Sequence, residues 1–197
     1  SESLTGKPFA KYWTHCGLIK INGQKMSKSL GNSLTIREVL EKYNYEVIKH
    51  AILSKHYTSD IDFNDSDFQL SEGHMYYFYS TIKEMEEFIF NNKEGDTSEI
   101  LKDEIPNTII SKFIEAMDDD FNTVLAIANL HIIFKYVNNI MKSAKKSNKH
   151  IVAKTLEKVL KDLKSVYKIL GFFEQEPEDF LAEIKEKYIK KLNIDVK

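Results

Sequence analysis

The sequence predicts a mainly α-helical chain with one short β-hairpin near its start, and three observations carry that prediction. Leu18-Ile19-Lys20-Ile21 alternates apolar and polar side chains and runs into Asn22-Gly23, a strong signal for a two-residue hairpin turn. Beyond Asp65, apolar residues recur at three- and four-residue spacing through long segments, the period of an amphipathic helix. Short polar stretches join those segments, which favours antiparallel packing into a bundle.

In order along the chain, Gln24 to Met26 is the returning strand of the hairpin, which places Lys28 at or just beyond its end. Thr35 can cap a helix from Ile36 to about Tyr43, with Glu38 at the capping-box position. A second helix is expected over about Glu46 to Lys55, and Asp60 to Phe63 alternates as a short strand would. A long helix from Asp65 to about Asn91 carries Met75, Phe78, Ile82, Met85 and Ile89 on one face, and Gly73 weakens it locally by about 1 kcal/mol. Asn91 to Pro106 is a polar connection. Helices are then expected over about Asn107 to Met117, Thr123 to Lys145 and Ile151 to Leu170, the last with Leu156, Val159, Leu163, Val166 and Leu170 on one face and Gly171 as its C-cap. A closing helix spans about Glu178 to Lys191.

The most informative segment is Lys25-Met26-Ser27-Lys28-Ser29, followed by Leu30-Gly31-Asn32. Two lysines three residues apart provide compact positive charges with rotatable donors. The serines add neutral hydroxyls, and glycine allows a backbone turn where a side chain would clash. Such a cationic loop is suited to a polyphosphate.

With 197 residues, 42% hydrophobic and 12% aromatic, the chain can bury one large or two small cores. A net charge of −2 gives no global nucleic-acid signal, but the charge is segregated. Nine lysines lie between Lys142 and Lys168 against Glu157 and Asp162, while acids gather at Glu94 to Glu104, Asp118 to Asp120 and Glu174 to Glu186. A single cysteine excludes an intrachain disulfide and fits a reducing compartment. No run approaches ~20 apolar residues, and the polar start SESLTGK does not read as a signal peptide. The expectation is a soluble, cytoplasmic chain. With no Met and no strand or helix before the motif flank, its start reads as that of a fragment.

The pentapeptide Lys25 to Ser29 resembles the KMSKS signature of class I aminoacyl-tRNA synthetases. Its flanks, Leu4 to Phe9 and Tyr12 to Gly17, are similar to cysteinyl-tRNA synthetases in particular. So are the blocks Tyr43 to Phe63, Phe113 to Thr123 and Gly171 to Leu181, so the resemblance extends to about residue 181. Mycothiol cysteine ligases are the nearest confusable family.

The resemblance implies an architecture in three parts. Residues 1–34 would be the C-terminal edge of a class I Rossmann catalytic domain with the KMSKS loop, 35–64 a stem-contact segment, and 65–197 an antiparallel helical, anticodon-side tRNA-binding bundle. It implies a cysteine–tRNA ligase that activates cysteine with ATP and Mg²⁺ to cysteinyl-adenylate and esterifies the 3′ end of tRNA(Cys). Its partners would be tRNA(Cys), ATP and cysteine, with no membrane, and the protein would be a monomer. Lys25, Met26, Ser27, Lys28 and Ser29 would bind ATP, with Lys28 foremost and Lys25 second as catalytic groups. Zinc would be held in the full enzyme by residues absent from this chain, as would the HIGH-type motif and the cysteine pocket. The chain also stops soon after Leu192, short of the family's region that helps read the anticodon. The isolated chain is therefore expected to be inactive.

Other residues with chemical potential also have plain structural readings. His15 and Cys16 are adjacent and so point to opposite faces of a strand, and His50 and His56 are too far apart on a helix to share ligand duty, so no metal site is expected in this chain. Tyr12 and Trp13 read as core, and Asp118-Asp119-Asp120 as acids complementing the dipole of the following helix. Tyr76, Tyr77, Phe78 and Tyr79 point all round a helix, which leaves one or two at most free to stack on bases. Lys154, Lys158, Lys161, Lys164 and Lys168 share one helix face and serve either as a solvated face or as tRNA phosphate contacts. The rival to an enzyme is a non-catalytic helical module binding RNA or protein, with Lys25 to Ser29 idle.

Overall fold

The computed structural model describes residues 2–21, 23–92 and 99–191, and the side chains of Lys28 and Lys191 also lie outside that set. Asn22 of the expected turn, and Glu94 and Asp96 of the Glu94 to Glu104 acidic run, fall outside the described residues. A single helical turn, α1 (Glu2–Thr5), stands where no helix was expected, closed by Gly6 N–H on Glu2 O at 2.8 Å. Strands β1 (Ile19–Ile21) and β2 (Gln24–Lys25) form the hairpin, with Lys20 opposite Lys25 and Ile21 opposite Gln24. Gly23 takes φ +78°, the left-handed conformation such a turn requires.

Next come α2 (Ile36–Lys42) and α3 (Tyr45–Leu53). Thr35 accepts from the backbone of Glu38, whose side chain reaches back in a full capping box. Asn44 caps α3, accepting from Glu46 N–H. Strand β3 (Ile61–Phe63) then pairs in parallel with β1, giving the sheet order β2-β1-β3. The turn before β3 passes so close to Gly17 that a Cβ there would lie 2.0 Å from Ser59 O, so no larger residue fits.

The helical part comprises α4 (Asp65–Asn91), α5 (Ile105–Asp118), α6 (Thr123–Ser143), α7 (Lys149–Tyr167) and α8 (Pro177–Lys191). Helix α5 starts two residues earlier than expected because Pro106 sits inside its first turn, where a missing N–H costs nothing. Helix α7 ends in a 3₁₀ turn, Lys168–Leu170, stopped by left-handed Gly171 as anticipated. The core runs through Met75, Phe78, Ile82 and Met85 of α4, Leu130 and Phe134 of α6, and Leu156, Val159 and Leu163 of α7. Helix α6 is 21 residues long and, by length and composition alone, apolar enough to cross a membrane, although Asn129, His131, Lys135, Asn138 and Asn139 interrupt it, so it is not an unbroken apolar run. In the bundle its buried residues, among them Ala126, Leu130, Phe134 and Val137, belong to a face packed among α3, α4, α5 and α7, while Val124, Leu125 and Ile132 stay exposed.

Two further expectations are corrected here. Tyr12 and Trp13 are 88% and 67% exposed, because they lie in the open segment before β1 and not on a packed strand. The cap of α6 is Asn122, which accepts from Leu125 N–H, and the preceding acids belong to the corner instead. Asp118 ends α5, Asp119 accepts from the Asn122 side chain, and Asp120 accepts from Tyr57 OH at 2.7 Å. Of the four consecutive aromatics at 76–79 of α4, Phe78 and Tyr79 are fully buried while Tyr76 and Tyr77 are exposed, which agrees with the expectation that one or two at most stay free.

Candidate functional site

The cationic loop leaves the sheet directly from β2. Met26 N–H donates to Ile19 O at 3.0 Å, so the backbone stays on the hairpin one residue past the strand. Lys28–Leu30 then forms a 3₁₀ turn, and Gly31 at φ +66° reverses the chain. Asn32 closes the loop from behind. Its Oδ1 accepts Ser27 N–H at 2.9 Å, and its Nδ2 donates to Lys25 O at 3.2 Å. Ser27 Oγ accepts Leu30 N–H at 3.3 Å and lies 3.1 Å from Ser29 Oγ. Both serines therefore shape the loop. Met26 and Ser27 are half-buried, Lys25 and Ser29 are exposed, and Lys28 is placed by its backbone on the turn.

Electrostatics around the hairpin are uneven. Lys20, opposite Lys25 on the ladder, is paired with Asp60 at 2.8 Å, and this contact raises the Lys20 pKa. Asp60 also accepts Leu18 N–H at 2.8 Å, and its carboxyl is held below the usual range by Lys20 and then by that amide. Asp62 accepts Gly23 N–H through both oxygens, at 3.0 and 2.9 Å. Two acids of β3 and the turn before it thus staple the hairpin and neutralise Lys20, whereas Lys25 has no ion pair among the described residues. Asn32, Asp60 and Asp62 were not singled out in the sequence. The readable signal was the Asp-Ile-Asp alternation, which puts both acids on one face of a strand.

A second set of contacts couples this region to the bundle through α3. Glu46 is fully buried, and its carboxylate accepts Tyr79 OH at 2.8 Å, Phe173 N–H at 2.8 Å and Glu174 N–H at 3.1 Å. Burial raises its pKa, and these donors oppose the rise. Lys49 donates to Gly171 O and pairs with Glu174, both at 3.2 Å. Asn44 Nδ2 donates to Gln175 at 3.0 Å and to Glu183 at 2.6 Å. The blocks Tyr43 to Phe63 and Gly171 to Leu181, distant in sequence, therefore meet in space.

The lysine row on α7 is only partly free. Lys154 pairs with Glu157 at 2.9 Å, Lys158 with Asp162 at 2.6 Å and Lys164 with Glu86 at 3.2 Å. Lys161 and Lys168 are exposed and have no ion pair among the described residues. Cys16 and His15 are exposed before β1. One grouping escaped the sequence altogether: His50, His74 and His131, on α3, α4 and α6, each offer a ring nitrogen within 4.8 Å of the other two.

Two stretches of the chain match known families. Residues 1–73 match the family described as tRNA synthetases class I (C) catalytic domain, and residues 112–174 match the DALR domain. A cysteine–tRNA ligase of Geotalea uraniireducens is 36% identical over 100% of this chain and 42% of its own length. The cysteine–tRNA ligase of Geobacter metallireducens is 38% identical over 98% of this chain and 40% of its own. The chain belongs to the cysteine–tRNA ligase family. It spans about two fifths of the length of those relatives. Among solved structures, a LeuRS in ternary complex with tRNA and LeuAMS, from Agrobacterium radiobacter, superposes with TM-score 0.61 over 86% of this chain and 21% of that one. At 18% identity that likeness concerns the fold, and it joins this cysteine–tRNA ligase portion to the class I synthetase architecture.

Proposed function

We propose that this chain supplies the KMSKS loop and the tRNA-contacting helices of an enzyme that activates cysteine with ATP and loads it on tRNA(Cys). The observation that carries the reading is the loop itself: an exposed cationic turn locked to a hairpin by Asn32, in a chain whose relatives are cysteine–tRNA ligases. Large apolar side chains left exposed around it, including Phe9, Trp13, Leu18, Leu30 and Ile36, support a packing surface for a further part of a catalytic domain.

In this reading a carboxylate oxygen of cysteine attacks the α-phosphorus of ATP, the new O–P bond gives cysteinyl-adenylate, and the bond from the α-phosphorus to the bridging oxygen breaks as pyrophosphate leaves with its electrons. Charge grows on the departing pyrophosphate, accompanied by Mg²⁺. Lysines aimed there lower the barrier because they bind the transition state better than the ground state. Lys28, on the 3₁₀ turn, is the main such donor and Lys25 the second. Met26, Ser27 and Ser29 hold the loop against the nucleotide. The ester to the tRNA 3′ end forms in a second step, while the bundle holds the tRNA. The same reading divides the chain at residues 34 and 64 into catalytic edge, stem-contact segment and tRNA-binding bundle.

The test joins this chain to the upstream portion of the Geobacter metallireducens relative and follows cysteine-dependent adenylate formation before steady state. Lys28→Ala should slow it about 10²- to 10³-fold, as for loss of one transition-state donor. Cysteine affinity should stay within a factor of about two, since the lysine faces the phosphates. A chimera without exchange activity, or an unchanged rate in Lys28→Ala, overturns the assignment. The 197-residue chain alone should show no ATP–pyrophosphate exchange.

A further inference from the structure

Three histidines converge in the bundle where α3, α4 and α6 meet. The His50 and His74 rings lie 5.4 Å apart between centroids, and His74 and His131 lie 4.6 Å apart, both edge to face. His50 is only 2% exposed, while His74 and His131 are half-buried. Phe78 packs on His131 at 4.8 Å and Phe172 stands 6.0 Å from His50, so the surroundings are apolar.

The hydrogen bonds determine what His50 presents. Ser54 Oγ donates its one proton to His50 O at 2.7 Å. At 3.3 Å from His50 Nδ1 it can then only accept, so Nδ1 carries the hydrogen and Nε2 carries the lone pair. That Nε2 is buried and has no hydrogen-bond partner, and neither has the buried His74 Nδ1. A buried polar atom left without a partner loses its hydration with nothing in exchange. Buried, unpartnered ring nitrogens in apolar surroundings have the character of metal ligands. Burial, and then the neighbouring histidines, push the His50 pKa down to about 3, which keeps the ring in the neutral form that binds metals.

We propose that His50, His74 and His131 form a binding site for a first-row divalent metal ion, zinc(II) in the first instance. Imidazole ligands suit zinc, copper, nickel and iron, and three of them leave a fourth position for water. Ligand nitrogens about 2.0 to 2.1 Å from a tetrahedral zinc are about 3.4 Å apart. The observed limit of 4.8 Å therefore asks for an inward movement of about 1.4 Å at most, which rotation of the half-buried His74 and His131 rings supplies. Those two rings also mark the side from which the ion enters. Ser54 accepts from the far nitrogen of His50 and so orients that ligand, as outer partners of metal-bound histidines do. The ion would tie α3, the second helix after the KMSKS loop, to α4 and α6 of the bundle.

The test uses the tag-free 197-residue chain, stripped of metal and titrated with Co²⁺ as a spectroscopic probe, then with Zn²⁺ in competition. One equivalent of Co²⁺ should bind with visible ligand-field bands, Zn²⁺ should displace it, and the thermal midpoint should rise with Zn²⁺ concentration. His74→Phe and His131→Phe, at the less buried positions, should each weaken binding at least about 100-fold, and Ser54→Ala about 10- to 100-fold. Cys16→Ser should leave binding unchanged. No saturable Co²⁺ uptake by the unaltered chain overturns the proposal. So does wild-type affinity in both histidine variants, or loss of the site in Cys16→Ser.

Discussion

The buried carboxylate of Glu46 accepts the backbone N–H of Phe173 at 2.8 Å, and Phe173 is held at φ +61°. A non-glycine residue in the left-handed region is strained by about 1 to 3 kcal/mol and persists where neighbours over-determine it. Glu46→Ala should leave Tyr79 OH and the amides of Phe173 and Glu174 without their acceptor. We expect a loss of about 2 to 4 kcal/mol, seen as a lower denaturant midpoint at constant slope. A loss below about 0.5 kcal/mol would mean that the turn is held by its aromatic packing alone.

The same carboxylate should leave a signature in the pH dependence of stability. Because burial raises its folded-state pKa above the unfolded value, the folded state binds the proton more tightly. The associated stability is fully present below the unfolded pKa and is lost as pH rises through the folded one. Glu46→Gln cannot gain it. The stability advantage of wild type over Glu46→Gln should therefore widen as pH falls from 7 towards 4. Parallel pH curves for the two proteins would contradict this.

Asn32 is the clamp of the KMSKS loop and touches no phosphate in the proposed mechanism. Asn32→Ala, in the chimera with the upstream portion, should slow adenylate formation about 10-fold or more by loosening the turn. Asn32→Asp keeps the acceptor for Ser27 N–H but loses the donor to Lys25 O, and its rate should fall between those of wild type and Asn32→Ala. The thermal midpoint should barely move, since the loop lies at the surface. Equal rates in wild type and Asn32→Ala would remove Asn32 from the positioning role.

On α7 the charges already compensated should matter least. Replacing Lys161 and Lys168 with glutamine should reduce the slope of log affinity for tRNA against log salt by about 0.7 to 0.9 for each phosphate no longer neutralised. Lys158→Gln and Lys164→Gln should change it less, because Asp162 and Glu86 hold those side chains. An unchanged slope in the Lys161/Lys168 double variant would make this face merely solvated.

Most of the fold was legible because helix period is local information. The apolar rows of α4 and α7, the capping box at Thr35 and the stop at Gly171 all stand where the sequence put them. What failed depends on neighbours that no local pattern specifies. Tyr12 and Trp13 look like core residues, but burial requires something packed over them. Asp118 to Asp120 lie between two helices, and the left-handed turn at Asp120 and Phe121 decides which helix they serve. His50, His74 and His131 lie 24 and 57 residues apart, so only the crossing of three helices makes them a group. The pentapeptide was conspicuous, whereas the clamping bonds of Asn32 became visible only in three dimensions.

The sheet order has a mechanical consequence. Strand β1 is bonded on one side to β2, which leads into the KMSKS loop, and on the other to β3, which passes through Asn64 straight into α4. Helix α4 has 27 residues and so reaches about 40 Å. Pivoted at β3, a tilt of about 5° would carry its far end about 3.5 Å, roughly the thickness of a stacked base, for that span. The three short strands are thus the fulcrum of a long arm: a slight rotation of the hairpin would be multiplied at the far end of α4.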